Sequence, residues 1–324
     1  MEMMELPRPK PGPGELLVRV RAASVNPLDY KIRDGAVKVL LPFSFPLILG
    51  TDLAGDVEAI GPSVTKFKRG DAVYSRLDND RIGAFAEYAV VRESAAARKP
   101  GRLDYPQAAS LPLVGLTAWQ TLIELAQLQA GQKVLIHAGS GGVGTFAIQL
   151  AKHLGARVAT TASARNHALV SSLGADVAID YQTSRFEAVA KDQDVVLDTQ
   201  GGDTLLRSFD VVKPGGVVVT IGGRPDGKFA RASGLSLPLV WILGFLNRKV
   251  DRLARERQVR FEYLFMRASG EQLEKLGALV ERGVIKPVVD KTFPFAAAAE
   301  AISYVESGRA VGKVVIVFER SPVT

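Results

Sequence analysis

The sequence has no cysteine. That excludes disulfides and thiolate-bound metals, and it leaves cysteine usage silent on the redox compartment. Histidine is nearly as scarce. His137, His153 and His167 are the only three, none stands at metal-ligand spacing from another, and all read as structural. No apolar run approaches the ~20 residues of a membrane span. The longest, 235–246, is interrupted by Pro238 and Gly244. No leader segment is legible, so the expectation is a cytoplasmic chain without stable membrane insertion. Charge of neither sign dominates. The net charge of +7 over 324 residues is modest, and nucleic-acid binding, which needs concentrated cations, is not expected. The densest basic run, Arg248 to Arg260, is interleaved with Asp251 and Glu256. It reads first as a solvated helix face and second as a contact for an anionic surface.

Two regimes of patterning follow one another. Residues 1–110 are β-rich: Glu15–Ala22, Ala54–Gly61, Asp71–Tyr74 and Phe85–Val91 read as strands separated by Gly- and Pro-containing turns. From about 115 strands and helices alternate, the signature of a parallel sheet. Strands are expected at 133–137, 157–161, 177–179, 194–198 and 216–221, with helices near 142–154, 166–173, 184–191 and 203–210. Helical periodicity returns at Gly270–Arg282 and Ala296–Ser307, before a strand at Lys313–Phe318. The fold class is therefore α/β, a β-rich domain interrupted by a doubly wound parallel-sheet domain. The expected bounds are 1–114, 115–260 and 261–324, the last returning to the first domain.

At the first strand–helix junction of the parallel region the chain reads His-Ala-Gly-Ser-Gly-Gly-Val-Gly, residues 137–144. Gly139, Gly141 and Gly144 fit G-x-G-x-x-G, and Ala138, Gly141 and Gly144 fit the looser A-x-x-G-x-x-G. Glycines there permit a tight turn and close approach of backbone to a pyrophosphate, which the helix N-terminus attracts. After the next strand, about 20 residues on, an NAD enzyme places Asp or Glu on the ribose diol. This chain has no acid there but Ala162-Ser163-Ala164-Arg165-Asn166. A hydroxyl followed by a guanidinium suits a 2′-phosphate, so the expected cofactor is NADPH. The other reading makes Arg165 a solvated residue at a helix start.

Several further segments carry a resemblance. Ser24–Gly35 contains Val-Asn-Pro-Leu-Asp and resembles a V-N-P-x-D segment. Asp52–Val57 followed by Phe67–Tyr74 resembles a G-x-V and G-D-x-V pair. Leu111–Trp119 resembles the helix that opens a nucleotide domain, and Ser307–Val315 a C-terminal motif. Together the chain resembles the zinc-independent quinone oxidoreductase branch of the medium-chain dehydrogenases/reductases, and within it the enone (2-alkenal) reductases. The resemblance implies a GroES-like catalytic domain, a Rossmann domain, and a cofactor held in the cleft between them. It implies NADPH-dependent reduction of a C=C bond conjugated to a carbonyl, or of a quinone, on a small lipophilic substrate, and it implies a homodimer. Two departures stand out. Asn26–Asp29 lies where zinc members carry a cysteine ligand, and Gly50-Thr51-Asp52 replaces their Gly-His-Glu, which excludes zinc catalysis. Relatives also begin with a further strand pair before the Pro-rich turn at 7–13. A carbonyl-reducing dehydrogenase and a non-catalytic, crystallin-like or partner-binding NADPH protein are the alternatives.

By resemblance the catalytic candidates are Asn26, Asp29 and Lys31. Asn26 would donate to substrate oxygen or cofactor ribose, Lys31 to a developing enolate or the ribose, and Asp29 would orient Lys31 or the ribose. The local chemistry alone equally allows a plain turn. Cofactor candidates are Thr117, Ala138, Gly141, Gly142, Val143, Ser163, Arg165, Tyr181, Gly222, Gly223 and Lys313. Thr117 reads otherwise as a helix-cap hydroxyl, Tyr181 as an edge residue and Lys313 as a surface lysine. The stretch Arg224–Phe261 is long for its place and strongly apolar at 235–246. It reads as a core or dimer-contact helix, as a lid over an apolar pocket, or as a foot on a membrane surface.

Overall fold

The computed structural model describes residues 1–38 and 40–318. The chain forms two compact units, one of residues 1–116 with the chain from Arg267 onward, the other of residues 117–266.

The first unit opens with β1 (Glu15–Val25), α1 (Pro27–Arg33), β2 (Asp52–Ile60), β3 (Ala72–Arg76), β4 (Tyr88–Arg92), β5 (Ala96–Arg98), α2 (Tyr105–Ala109) and α3 (Pro112–Trp119), within which the boundary between the units falls. The 26–35 segment, read from sequence as pocket or turn, is thus a short helix. Pro27 occupies its first turn, where a missing N–H costs nothing. Asp29 accepts the Asn26 N–H at 2.7 Å, half of a capping box. The strand expected from Phe85 begins only at Tyr88. Phe85 and Ala84 instead donate their N–H groups to the carbonyls of Leu49 and Gly50, and the Phe85 ring fills the space a Cβ on Gly50 would need.

The second unit holds β6 (Lys133–Ile136), α4 (Gly142–His153), β7 (Arg157–Ala162), α5 (His167–Ser172), β8 (Val177–Asp180), α6 (Phe186–Val189), β9 (Gln193–Asp198), α7 (Gly202–Ser208), β10 (Val212–Thr220), α8 (Gly227–Ala232), α9 (Leu237–Glu256) and β11 (Arg260–Tyr263). Its six strands are all parallel, in the order β11-β10-β9-β6-β7-β8. The order reverses between β6 and β9, the topological switch point where doubly wound sheets bind ligands beyond their carboxyl ends. Leu135, Val196 and Val218 on the three central strands are fully buried. That is why these strands read as continuous apolar runs rather than alternating ones. β11 pairs with β10 at the edge, so this unit runs past 260.

The chain then completes the first unit with α10 (Gly270–Glu281), β12 (Val289–Pro294), α11 (Ala298–Glu306) and β13 (Lys313–Val317). β13 pairs antiparallel with β1 through Ala22–Val25. β1 also pairs with β2 and β4, so the seven-stranded sheet runs β12-β13-β1-β2-β3-β5 with β4 on β1. Tyr74 on β3 donates its hydroxyl to the Leu273 carbonyl at 2.6 Å, fixing α10 to the sheet. Among the described residues no helix is long and apolar enough to cross a membrane.

Candidate functional site

In the second unit the glycine-rich segment crosses from β6 to α4 with almost no free volume. Ala138 takes a left-handed φ of 52° and donates its N–H to Thr161 Oγ1 at 3.0 Å. A Cβ on Gly139 would lie 2.0 Å from Thr160 Oγ1, and one on Gly144 would lie 2.3 Å from the Ala138 carbonyl. Only glycine lets the loop close against β7 and the helix close against the loop. Gly141 is the N-cap of α4, extended at φ −81° and ψ 172°. Its carbonyl accepts the Thr145 N–H at 2.9 Å. The N–H groups of Gly142, Val143 and Gly144 therefore form the first helical turn, which has no intrahelical acceptor and carries the positive end of the dipole.

Just before the loop, His137 is buried between Thr161 Oγ1 at 3.3 Å and Ser208 Oγ at 3.1 Å. It packs edge-on against Phe186. Burial, helped by the nearby Arg207 charge, lowers its pKa to about 4. It is a satisfied neutral core residue, as its spacing implied.

At the end of β7 a surface pocket of about 310 Å³ is lined by Ser163, Ala164, Arg165, Tyr181 and Gln182. Ser163 is buried while Arg165 and Tyr181 are exposed, so a hydroxyl sits at the base with a guanidinium and a phenol at the rim. β7 and β8 are parallel neighbours ending at Ala162 and Asp180, which brings these sequence-distant residues together. Asn166 donates to Ser140 Oγ at 3.0 Å and so fastens this wall to the glycine-rich loop.

The loops after β9 and β10 meet through glycines. A Cβ on Gly201 would lie 2.4 Å from the Gly222 carbonyl, and one on Gly222 would lie 2.6 Å from that of Thr199. Asp198, fully buried at the end of β9, organises both loops. It accepts from Thr220 Oγ1 at 2.6 Å, from the Gly201 N–H at 3.0 Å and from the Gln200 N–H at 3.1 Å. Thr220 Oγ1 in turn accepts the Gly223 N–H at 2.9 Å. Desolvation raises the Asp198 pKa, opposed by these bonds. Sequence reasoning missed Asp198. Its signal is an acid ending an otherwise apolar strand. Thr117, the first residue of this unit, is buried on α3.

In the first unit a polar cluster is buried where β1, α1, β2, β3 and β13 meet. Asn26 Nδ2 donates to Asp52 Oδ2 at 2.9 Å and to Thr51 Oγ1 at 3.3 Å. Ser24 Oγ donates to the same Asp52 oxygen at 2.9 Å, and the Leu113 N–H to the other at 3.0 Å. Lys313 is buried, not the surface lysine of the alternative reading. Its ammonium donates to Asn26 Oδ1 at 2.5 Å and to the Val25 carbonyl at 2.9 Å, and stands 4.0 Å from Asp52. Burial drives the Lys313 pKa down and the Asp52 pKa up, with each charge opposing the other's shift. Asp29 is fully buried, and its Oδ1 has no hydrogen-bond partner among the described residues. Desolvation raises its pKa to about 7, against the Asn26 N–H bond that lowers it.

This geometry corrects two expectations. Asn26 does not present a spare amide, because its Oδ1 and Nδ2 are both engaged inside the cluster. Asp29 does not orient Lys31: it turns inward to the Asn26 N–H, whereas Lys31 is exposed on α1. Residues 29 and 31 are two apart on a helix and cannot share a face. Among the described residues no cluster of three or more His, Cys, Asp or Glu could hold a metal ion.

Comparison with known proteins matches residues 12–101 to the alcohol dehydrogenase GroES-like domain and residues 173–316 to a zinc-binding dehydrogenase family. An NADPH-dependent alkenal/one oxidoreductase of Arabidopsis thaliana is 36% identical over 314 residues, covering 93% of this chain and 72% of its own. The quinone oxidoreductase from Coxiella burnetii superposes with a TM-score of 0.85 at 34% identity, over 98% of this chain and 95% of its own. A mycobacterial protein solved with NADPH gives a TM-score of 0.79 at 28% identity, over 97% and 94%. The plant relative is chloroplastic by name, so kinship does not carry the cytoplasmic placement read from the sequence.

Proposed function

The chain belongs to the medium-chain dehydrogenase/reductase family, and on that premise we propose that it is an NADPH-dependent oxidoreductase that reduces the C=C bond of α,β-unsaturated carbonyls or reduces quinones. The observation that carries the cofactor choice is the pocket joining Ser163, Arg165 and Tyr181 with no acid among its lining residues. A carboxylate there would hold a ribose diol, while a guanidinium fork binds a phosphate dianion.

The residues of the second unit support this reading for the cofactor's phosphates. Gly142 and Val143 offer N–H groups to the pyrophosphate, over a turn that a Cβ at 139 or 144 would fill. Ser163, Arg165 and Tyr181 take the 2′-phosphate. Gly222 and Gly223, held by Asp198 through Thr220, and the Ala138 and Gly141 backbone allow close approach, with Thr117 as a further cofactor residue, whereas the Lys313 ammonium is taken up inside the buried cluster of the first unit. When bound, NADPH supplies the hydride.

Reduction of a conjugated carbonyl puts negative charge on its oxygen, and a donor must meet it there. Lys31 is our candidate, because its side chain is exposed while the Asn26 amide is fully engaged. Asn26 and Asp29 then act as positioning residues. Asn26 ties β1 to β2 and β13, and Asp29 caps the helix that carries Lys31. Homodimer formation belongs to the same proposal, supported by β11 as an edge strand with one unpaired side.

The test is steady oxidation of NADPH and NADH by a panel of enones and quinones in metal-free buffer. Turnover that favours NADPH supports the reading. Tight NADPH binding with no turnover on any of them overturns it in favour of a non-catalytic binding protein.

A further inference from the structure

The insertion between β10 and β11 carries an exposed helix face that neither the cofactor residues nor the buried cluster uses. α9 seats Val240, Asn247 and Val250 against its own unit, with Asn247 Nδ2 donating to the Pro225 carbonyl at 2.7 Å. On the other side its large apolar residues face water. Leu237 is 72% exposed, Trp241 76% and Phe245 62%, flanked by Ile242 and Leu246. Five exposed large hydrophobics within ten residues form a contiguous patch, not the scattered single residues any surface shows.

The same stripe changes character along the helix. Leu237, Trp241, Phe245, Arg248, Arg252 and Arg255 follow one another at spacings of three or four, so they lie on one face. All six are exposed. The first half of that face, about 15 Å at the α-helical rise, is apolar, and the second half is cationic. The Arg248 guanidinium lies 4.2 Å from the centre of the Phe245 ring and marks the junction. Residues 224–257 hold eight cations and three acids, which concentrates here five of the chain's seven net positive charges. Of those acids Asp226 is buried, Asp251 half-buried, and Glu256 faces Arg252 at 3.6 Å.

We propose that α9 is a docking surface for an anionic lipid bilayer, with Leu237, Trp241 and Phe245 entering the headgroup–acyl boundary and Arg248, Lys249 and Arg252 resting on lipid phosphates. Peripheral segments bind anionic membranes when aromatic and aliphatic side chains enter the headgroup–acyl boundary and nearby basic side chains meet the lipid phosphates, and here the two sets follow one another along one exposed face. A second copy of the chain covering Trp241 and Phe245 would answer only the apolar half and leave the cationic half unmatched. A bilayer answers both. The binding is peripheral, since no described helix crosses a membrane. It is independent of which substrate the protein reduces.

Co-sedimentation of the full chain with vesicles tests it, using phosphatidylcholine mixed with phosphatidylglycerol and phosphatidylcholine alone. The wild type pellets with the mixed vesicles, far less with the neutral ones, and less in high salt. Trp241 emission shifts to the blue on binding, and the shift disappears in Trp241→Ser. Arg248→Gln/Lys249→Gln weakens binding to mixed vesicles roughly 25-fold, at the usual interfacial value of a basic residue. Trp241→Ser/Phe245→Ser weakens it about tenfold with all charges kept. Both double variants keep the wild-type melting temperature, because the altered side chains are exposed. The proposal is overturned if the wild type stays in solution with mixed vesicles. It is equally overturned if Trp241→Ser/Phe245→Ser binds them undiminished, or if that variant only dissociates an oligomer and leaves lipid binding unchanged.

Discussion

Lys313 and Asn26, 287 positions apart in the chain, are joined by a 2.5 Å hydrogen bond from the lysine ammonium to the asparagine carbonyl oxygen. The bond sits in a fully buried site beside Asp52. Lys313→Met keeps the volume and removes the charge, leaving the buried Asp52 carboxylate without the ammonium 4.0 Å away and with Arg76 as its remaining cation. Such a loss costs about 3–5 kcal/mol. Burial already raises the Asp52 pKa, and removing Lys313 raises it further. The variant is therefore least damaged in acid, where Asp52 is protonated, and loses stability as pH rises. Urea unfolding at about pH 5 and about pH 8 reads this directly; an equal loss at both values would show that charge is not the cause.

Arg165→Ala should raise the KM for NADPH about tenfold or more, the worth of a charge-assisted contact to phosphate, while leaving the KM for NADH nearly unchanged. Steady-state kinetics with both cofactors and one enone measures the ratio. Equal changes would remove Arg165 from the phosphate pocket.

Lys31→Met should lower kcat about a hundredfold, on the scale of removing one donor to a developing oxyanion, with little change in NADPH affinity measured by fluorescence titration. Lys31→Arg should recover part of the loss. Unchanged turnover in Lys31→Met would return Lys31 to the role of a surface residue.

His137 is held neutral with its pKa lowered to about 4. The unfolded chain takes up this proton near 6.5, so between about pH 6.5 and 4 the unfolded state binds more protons and stability falls as the medium is acidified. The full effect approaches about 3 kcal/mol. His137→Gln should flatten that acid limb in hydrogen exchange of the β6 amides. An acid limb as steep as in the wild type would place its origin elsewhere.

What the sequence revealed of these sites follows from how local each signal is. The β6–α4 turn was legible because its demands fall within eight consecutive residues, and the central strands because burial on both faces makes them continuously apolar. α9 was harder. Its apolar half faces solvent, and hydrophobicity alone does not say on which side of the surface a residue lies. The inward turn of Asp29 was hidden for a different reason. A carboxylate at the third position of a helix can reach back to the N-cap or out to solvent, and only the burial of α1 chooses between them. The saturation of Asn26 was likewise out of reach, since its partners come from residues 51, 52 and 313.

The sheet that pairs β1 with β13 also has a history in time. A ribosome releases the first strand long before the last, and the intervening parallel sheet has all its strands available while β1 still lacks this neighbour. The Rossmann unit is thus positioned to mature first, as earlier-completed units do during synthesis. The half-built lobe around Asn26 must wait, with Asp52 facing Arg76 but not yet the ammonium that will stand 4.0 Å from it, until Lys313 emerges and closes it. Nascent chains stalled before residue 313 should therefore already protect β6 and β9 from proteases while leaving β1 open to them.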